Sequence, residues 1–336
     1  MYSMKNVLYI GNALSNKGKS ITSIEILGKQ LNEICVVKTA SSYNNKLLRL
    51  IDMCKLVLVN RINTDFVIID TYSTFNFYYA LIISQLCRIL KLKYIPILRG
   101  GNLENRLKHS SKLSHLIFDN AYKLVAPSHF LKSVFESYNY KDVLYIPNNI
   151  EIDNYDFYSR SIDCIKLLWV RSFSSIYNPE LAILVLEKLL EKNYNAQLTM
   201  VGPEVDGSLK KVKDLAESKQ LQVNFTGKLS KVEWLALSKD SNVFINTTNF
   251  DNTPVSVIEA MALGLPIVST NVGGLPFLIT NNVDGLLVEP NNVDAMVDAI
   301  IKLDEKNRSE LVNNARLKVE NFDWSVIKPK WETLLS

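Results

Sequence analysis

Two carboxylates in the last third of the sequence could hold the hydroxyl groups of a sugar or a ribose. Asp251 lies in an Asn-rich loop, and Glu259 follows after seven intervening residues, about a turn and a half into a predicted helix. Pro254 suits the first turn of that helix, where backbone N–H groups without helical partners can bind a phosphate. Two carboxylates on either side of such a turn could bind the sugars flanking a diphosphate. The spacing alone fits a helix cap and a solvated glutamate equally well.

A second candidate for phosphate chemistry lies near the start of the sequence. Residues 13–20 read Ala-Leu-Ser-Asn-Lys-Gly-Lys-Ser between a predicted strand and a predicted helix, which is the setting of a nucleoside-triphosphate-binding loop. An apolar run at 66–70 that ends in aspartate could then bind magnesium. Ala13 stands where such loops need glycine to wrap a phosphate, and Gly11 and Gly18 would otherwise make only a flexible strand-to-helix loop. A P-loop-like nucleoside triphosphatase stays open as an alternative.

Short apolar runs alternate with helical patterns along the sequence, which predicts parallel sheets covered by helices. In the first half, the predicted strands are 7–10, 34–37, 66–69, 94–98, 123–126 and 143–146. After a polar stretch at 148–163, the pattern restarts with predicted strands at 165–170, 197–201, 223–225, 243–246, 266–269 and 285–288. We therefore predict an α/β protein of two doubly wound domains, with ligands at the carboxyl ends of the strands in a central cleft.

The overall composition is that of an ordinary folded protein, but its charge is divided unevenly. Residues 1–150 contain 19 Lys and Arg against 9 Asp and Glu, a formal charge of +10, whereas residues 151–336 carry −6. The four cysteines are scattered, which favours buried free thiols in a reducing compartment. No secretory signal, no run of 18 apolar residues and no nucleic-acid recognition module is found, so we expect neither a membrane-spanning chain nor a nucleic-acid partner.

The region from Tyr145 to Trp324 resembles the retaining family-4 glycosyltransferases with the GT-B fold, also described as glycosyl transferases group 1. Residues 251–276 resemble the donor-binding region of that family, with its Ala-Met-Ala-x-Gly-x-Pro and Gly-Gly-x-Pro elements. Asp251 replaces the first glutamate of the family motif, and Glu259 matches the second. Further ordered matches lie at residues 146–151, 200–203, 225–229 and 282–288.

The resemblance implies a domain plan for the whole chain. It places an N-terminal acceptor-binding Rossmann-like domain at 1–150 and a C-terminal nucleotide-sugar-binding Rossmann-like domain at 151–321. Residues 322–336 would form a helix that crosses back to the first domain. The two domains of such a GT-B protein face a central cleft.

The resemblance also implies roles for individual residues. Glu259 would bind the ribose hydroxyls, and Asp251 would contact the donor sugar. Arg171, directly after the first strand of the second domain, would grip the diphosphate with its forked donors and stabilise the leaving group. The other implied donor-binding residues are Gly202, Lys228, Leu229, Asn252, Thr253, Pro254, Val255 and Ser256.

Two departures from the family pattern leave the positive charge of the site in question. The family usually has a lysine five or six residues after the counterpart of Arg171, whereas residues 176–179 read Ile-Tyr-Asn-Pro, so Tyr177 offers a hydrogen bond but no charge. The family often has a histidine after the fourth strand, where this sequence has Arg99. Arg99 would either point into the cleft as a catalytic cation or hold its loop. The predicted acceptor or phosphate loops contain Gly11, Gly18, Gly100, Gly101 and Asn102.

The resemblance implies a retaining, metal-independent hexosyltransferase in cell-surface polysaccharide or glycoconjugate synthesis. A nucleotide-diphosphate-sugar would be its co-substrate, with no further cofactor, and a glycan or lipid-linked molecule its acceptor. If nothing replaces the missing lysine, the chain would be a catalytically silent sugar-nucleotide-binding protein. We expect a cytoplasmic location.

One predicted helix bears on a membrane contact. Residues 44–63 mix Lys46, Arg49, Lys55 and Arg61 with many apolar side chains. The segment fits either a helix that lies on an anionic membrane surface at the inner leaflet, or a sheet-covering helix with its basic side chains in water.

Overall fold

The computed structural model describes residues 4–15 and 22–336, and the chain divides into two compact units. The first unit comprises the residues up to Asn149 together with Trp324–Ser336, and the second comprises Ile150–Asp323. In the described residues, each unit contains one six-stranded sheet in which all the strand pairs are parallel.

The first unit alternates strands and helices. Its strands are β1 (Asn6–Ile10), β2 (Val36–Ala40), β3 (Phe66–Thr71), β4 (Lys93–Leu98), β5 (Leu124–Ala126) and β6 (Val143–Tyr145), in the sheet order β2-β1-β3-β4-β5-β6. Its helices are α1 (Ser23–Leu31), α2 (Lys46–Asn60), α3 (Asn76–Ile89), α4 (Leu103–His109), α5 (Ser111–Phe118) and α6 (His129–Ser137). Strands β1 and β3 are apolar almost throughout because helices cover both faces of the sheet.

The second unit repeats this alternation. Its strands are β7 (Ile165–Val170), β8 (Ala196–Val201), β9 (Val223–Gly227), β10 (Val243–Asn246), β11 (Ile267–Thr270) and β12 (Leu286–Val288), in the order β12-β11-β10-β7-β8-β9. Its helices are α7 (Pro179–Glu191), α8 (Ser208–Ser218), α9 (Lys231–Ser238), α10 (Val255–Ala262), α11 (Leu275–Leu278), α12 (Val293–Ile301) and α13 (Glu305–Glu320). Strand order reverses between β7 and β10, which are neighbours although β8 and β9 lie between them in sequence.

The last helix, α14 (Trp324–Leu334), packs on the sheet of the first unit. Trp324, Ile327 and Trp331 share an apolar core with α1 and with the side chains of β1 that face it. Helices α2, α3, α5 and α6 cover the opposite face of the same sheet. The sheet is therefore enclosed by helices from both ends of the chain.

The predicted α/β class with two doubly wound sheets is confirmed, and each predicted strand region overlaps an observed strand. Helix α10 differs in detail, because Pro254 is its cap residue and the helix begins at Val255. All four cysteines are free thiols, and burial raises the pKa of Cys35 to about 11 and that of Cys87 to about 12. Among the helices of the described residues, none is both long enough and apolar enough to cross a membrane.

Candidate functional site

The candidate site lies where the strand order of the second sheet reverses. The carboxyl ends of β7 and β10 lead there into two neighbouring loops, at 171–178 and 247–254. Arg171 follows β7 directly, and its Nη2 donates a hydrogen bond to Oδ2 of Asp251 in the second loop. Ligands bind at such reversals because the loops that leave the two strands diverge and open a crevice. The sheet thus pairs two predicted site residues that are 80 positions apart in sequence.

This part of the unit also contains donors without acceptors. Nε of Arg171 and Oγ of Ser256, in the first turn of α10, are buried and have no hydrogen-bond partner in the described residues. The cap residue Pro254 makes no side-chain hydrogen bond, so no side chain of the cap satisfies the first N–H groups of α10. Buried polar atoms are nearly always paired in folded proteins. Unpaired donors around an arginine favour the binding of an anion here.

Tyr177 orients the arginine. The guanidinium carbon of Arg171 lies 4.9 Å from the centroid of the Tyr177 ring. The Tyr177 carbonyl accepts a hydrogen bond from the Thr247 hydroxyl at 2.8 Å, and that hydroxyl accepts one from the Trp169 indole at 2.9 Å. Burial raises the pKa of Tyr177, so its hydroxyl stays neutral. Tyr177 therefore contributes an aromatic face and no charge.

Glycines let the loops of the site approach each other closely. A Cβ atom on Gly202 would lie 1.7 Å from the carbonyl oxygen of Arg171, and one on Gly274 would lie 1.9 Å from that of Asn252. The N–H of Gly274 donates to the carbonyl of Asp251 at 2.9 Å. Gly202, predicted from its motif, thus has a structural reason to be glycine, because it packs against the backbone of Arg171.

Glu259 forms the centre of a second cluster. Its Oε1 accepts a hydrogen bond from the Tyr155 hydroxyl at 2.9 Å and one from Nζ of Lys231, the first residue of α9. Nζ of Lys231 also contacts the Tyr155 hydroxyl. In the described residues, the hydrogen bonds that Glu259 accepts end on Oε1, so Oε2 remains for a ligand. Burial and the charge of Glu259 raise the pKa of Tyr155, which keeps this hydroxyl a donor.

Sequence reasoning did not single out Tyr155 or Lys231. Tyr155 lies 104 positions from Glu259, in the polar stretch between the two predicted strand series, where no motif marks it. Lys231 lies three residues beyond Lys228, which the family resemblance places in the donor-binding site. The sequence feature that could have identified Lys231 is its position at the start of a helix that follows β9. Each carboxylate of the motif is thus paired with a cation, Asp251 with Arg171 and Glu259 with Lys231.

The remaining predicted donor-binding residues border these clusters. Lys228 and Leu229 follow β9 at the carboxyl edge of the sheet, with Lys228 exposed. Asn252 is buried, and its N–H donates to Oδ1 of Asp251 at 2.7 Å. Thr253 is half-buried, and Val255 is exposed at the start of α10. Their positions are compatible with donor binding, and their roles stay predictions.

Comparison with protein families matches residues 161–318 to the model described as Glycosyl transferases group 1. The matched region contains Arg171, Asp251, Glu259 and Lys231. The second unit of the chain is therefore similar to the glycosyl transferases group 1 family.

Curated relatives share this region of the chain. The UDP-Gal:alpha-D-GlcNAc-diphosphoundecaprenol alpha-1,3-galactosyltransferase of Escherichia coli is 30% identical over 121 residues, which are 34% of this chain and 31% of that protein. The N-acetyl-alpha-D-glucosaminyl L-malate synthase of Bacillus anthracis is 27% identical over 66% of this chain and 58% of its own length. The matched region spans 31% to 39% of the length of the first three curated relatives.

Solved structures resemble the chain over nearly its full length. The sucrose-phosphate synthase of Thermosynechococcus elongatus has a TM-score of 0.81 at 15% identity and covers 98% of both chains. Anabaena HepE in complex with UDP and glucose has a TM-score of 0.75 at 16% identity and covers 98% of this chain and 99% of its own. At this identity the likeness shows the fold alone, and the chain has the GT-B fold.

In the first unit, Arg99 is not a free cation. It follows β4 and is buried, with Nε donating to Oδ1 of Asp70 at 2.9 Å and Nη1 donating to Oδ1 of Asn148 at 2.6 Å. Its Nη2 also donates to the hydroxyl of Tyr9 at 3.3 Å. Burial lowers the pKa of Arg99, but the effects of Asp70, Tyr9 and Tyr72 together exceed that of burial and raise the pKa. The structure thus supports a loop-holding role for Arg99, because its charge is already neutralised within the fold.

The predicted acceptor loops have local structural reasons for their glycines. A Cβ atom on Gly11 would lie 2.8 Å from Oδ2 of Asp70. Gly100 has a φ of +75°, a left-handed conformation that favours glycine, and Gly101 and Asn102 lead from it into α4. Gly18 lies outside the described residues. Acceptor binding by these loops stays a prediction.

A carboxylate of the chain itself lies at the start of α1. Glu25 accepts hydrogen bonds from the N–H groups of Thr22 at 2.9 Å and Ser15 at 3.2 Å. Burial opposes ionisation, but the hydrogen bonds from Ser15 and Thr22 outweigh it and lower the pKa of Glu25. This anionic side chain would repel a phosphate at the same helix start. Residues 16–21 of the P-loop-like motif lie outside the described residues, and the observed contacts do not favour the triphosphatase.

Proposed function

We propose that this chain is a retaining glycosyltransferase that moves a hexose-type sugar from a nucleotide-diphosphate-sugar to a glycan or lipid-linked acceptor, in cell-surface polysaccharide or glycoconjugate synthesis. The observation that carries the proposal is the Arg171–Asp251 pair at the strand reversal, with unpartnered donors on Arg171 and Ser256. The substrate class is supported by the names of similar proteins, among them a UDP-Gal transferase for a diphosphoundecaprenol-linked sugar and a structure bound to UDP and glucose.

The diphosphate would lie against Arg171 and the start of α10. The planar guanidinium offers parallel donors to phosphate oxygens, and the helix start adds a partial positive charge. Because Asp251 already occupies one nitrogen of Arg171, an arriving diphosphate would exchange with it. Asp251 would then be available to accept hydrogen bonds from the hydroxyls of the donor sugar.

The nucleoside end of the donor would lie at Glu259. Oε1 is held by Tyr155 and Lys231, so the carboxylate is oriented before a ligand arrives. We propose that Oε2 accepts hydrogen bonds from the ribose hydroxyls. The base would then contact the backbone near Lys228 and Leu229, which lies at the same edge of the sheet.

In the proposed reaction, the bond between the anomeric carbon and the phosphate oxygen breaks as the acceptor oxygen approaches on the same face of the sugar. The departing phosphate oxygen takes the acceptor proton, and the new glycosidic bond retains the anomeric configuration. Arg171 stabilises the negative charge that grows on the diphosphate. We propose that the arginine and the helix start provide this stabilisation without a metal ion.

A sugar-nucleotide-binding protein without transfer activity is the second candidate. It is favoured by residues 176–179, where Tyr177 lies against Arg171 and no lysine is present. The two candidates differ in product formation, since both bind the nucleotide but only the enzyme releases it from the sugar.

We propose a cytoplasmic location for this activity. The free thiols of Cys35, Cys54, Cys87 and Cys164 are compatible with a reducing compartment. Expression with a fluorescent tag followed by cell fractionation tests this proposal.

Replacing Glu259 with alanine should abolish most of the affinity for the nucleotide. We expect the wild-type protein to gain several kelvin of thermal stability from one nucleoside diphosphate in a panel of UDP, GDP, ADP and dTDP. Glu259→Ala removes the hydrogen bonds that the ribose hydroxyls would donate to Oε2. The affinity for the nucleoside diphosphate should therefore fall by about tenfold or more, since hydrogen bonds to charged groups are worth about 1.5–3 kcal/mol. Titration calorimetry on both proteins measures this difference.

The matched control for this titration is Glu310→Ala, which removes an exposed carboxylate of α13. It should bind the nucleotide as tightly as the wild type. If Glu259→Ala also bound like the wild type, the assignment of the ribose site would be wrong. Release of the nucleoside diphosphate from the matching nucleotide-sugar then separates the transferase from the silent binder.

Tyr155→Phe should weaken binding of the same nucleotide by a few-fold, because it removes one hydrogen bond that orients Glu259 but keeps the aromatic packing. Tyr158→Phe is the control, since the Tyr158 hydroxyl is buried without a hydrogen-bond partner in the described residues. That change should leave nucleotide affinity unchanged. Equal affinities for the Tyr155 variant and the wild type would contradict the orienting role.

A further inference from the structure

Helix α2 is apolar on the side that faces water. Its buried residues are Arg49, Met53 and Val57. The outer side carries apolar side chains that, with one just beyond the helix, are between 43% and 84% exposed: Leu47, Leu48, Ile51, Leu58, Val59 and Ile62. The alternative in which the basic side chains of this helix all face water is therefore wrong for Arg49, whose guanidinium donates to the carbonyls of Tyr43 and Asn44. Tertiary packing therefore buries Arg49 and leaves the outer leucine side chains of α2 exposed to solvent.

Helix α3 extends this surface. A second stripe of exposed apolar side chains follows its outer side, at Phe75, Tyr78, Ile82 and Ile89. The two helices are neighbours, because the Tyr79 hydroxyl of α3 donates to the carbonyl of Lys46 at 2.9 Å. The Lys46 ammonium also lies 5.0 Å from the Phe75 ring centroid. We call the exposed side chains of these two stripes the α2–α3 face.

The charges around the α2–α3 face are almost all positive. Lys46, Lys55 and Arg88 are exposed on the two helices, and Arg61 follows α2. The acidic residue of α2 is the half-buried Asp52, and α3 has none. Between residues 66 and 103 the sequence contains one acid, Asp70, which is buried and paired with Arg99. The face thus combines an apolar surface with a cationic border.

We infer that the α2–α3 face docks onto the surface of an anionic phospholipid bilayer. Folded monomers rarely leave contiguous apolar patches of this kind in water. In the interfacial region of a bilayer, leucine and isoleucine side chains enter the acyl boundary, while the ammonium of a residue such as Lys55 reaches back to the headgroups. Aromatic side chains such as Phe75 and Tyr78 are suited to the same depth.

The charge pattern favours a bilayer over a second copy of the chain. A symmetric dimer through this face would bring the same patch of both copies together, so that the cations of one copy would face those of the other. Anionic headgroups instead attract each basic residue near the surface. The inference concerns the first unit and goes beyond the proposed transfer reaction.

Flotation with phospholipid vesicles tests the inference. The wild-type chain should bind vesicles of phosphatidylglycerol and phosphatidylcholine at least about tenfold more strongly than vesicles of phosphatidylcholine alone, because several basic residues contribute. The combined variant Leu48→Ser, Ile51→Ser and Val59→Ser should lose at least about tenfold in binding to the anionic vesicles. The matched control is Leu317→Ser on α13, which changes a 62% exposed leucine of the second unit and should bind like the wild type.

Three results would overturn the inference. They are no preference of the wild type for anionic vesicles, unchanged binding by the combined variant, and a wild-type dimer in light scattering that the variant converts to a monomer without any vesicle binding. Circular dichroism checks that the combined variant is folded. Its thermal stabilisation by the nucleoside diphosphate should equal that of the wild type, which separates a failure of this inference from a failure of the proposed function.

Discussion

Replacing Arg171 with alanine should lower the rate of donor-sugar transfer by about a hundredfold to a thousandfold, the range found when one group that stabilises a developing anion is removed. Arg171 is the cation at the strand reversal, where it contacts Asp251 and packs on Tyr177. Its loss would leave the departing diphosphate without its forked donor. The measurement is the initial rate of nucleoside-diphosphate release from the nucleotide-sugar identified by titration, with saturating donor.

Two further variants sharpen this result. Arg171→Lys keeps the charge but loses the planar pair of donors, so its rate should lie between those of the wild type and the alanine variant. Lys302→Ala removes an exposed cation at the end of α12 and should be fully active. A rate for Arg171→Ala within a fewfold of the wild type would show that another group stabilises the leaving diphosphate.

Replacing Asp70 with alanine should destabilise the first unit by about 3–5 kcal/mol, because it leaves the Arg99 guanidinium buried without its counter-charge. The side chains of Asp70 and Arg99 are only 2% and 7% exposed, so the charge of Arg99 would stay largely shielded from solvent. Urea unfolding, followed by circular dichroism and fluorescence, measures the change in the free energy of unfolding.

An exposed hydrogen-bonded pair in the same unit provides the control. Asp119→Ala removes the partner of His115, where both side chains are about half exposed, and should cost at most about 1 kcal/mol. Adding Arg99→Leu to Asp70→Ala should restore part of the lost stability, since a buried pair can often be replaced by apolar side chains. If Asp70→Ala cost no more than Asp119→Ala, the pair would not be an essential part of this core.

Much of the candidate site could be predicted from local sequence. Asp251, the turn predicted to bind phosphate, and Glu259 lie within one short segment, so their order along a loop and a helix is fixed by the chain itself. Arg171 was assigned through the family resemblance, as the residue that directly follows the first strand of the second unit. Tyr155 and Lys231 could not be predicted in the same way, because they reach Glu259 across 104 and 28 residues.

The sequence by itself determined the alternation of strands and helices, and with it the parallel sheets and the edge at which the site forms. This is because the apolar periods of buried strands and covering helices are local properties of the chain. Only the tertiary structure decided the role of Arg99. The sequence is compatible with a free cation, whereas in the structure the Arg99 guanidinium donates hydrogen bonds to Asp70 and Asn148. The tertiary structure also decided the outward face of α2, since a helix with apolar side chains on both faces carries no local signal for the face that packs.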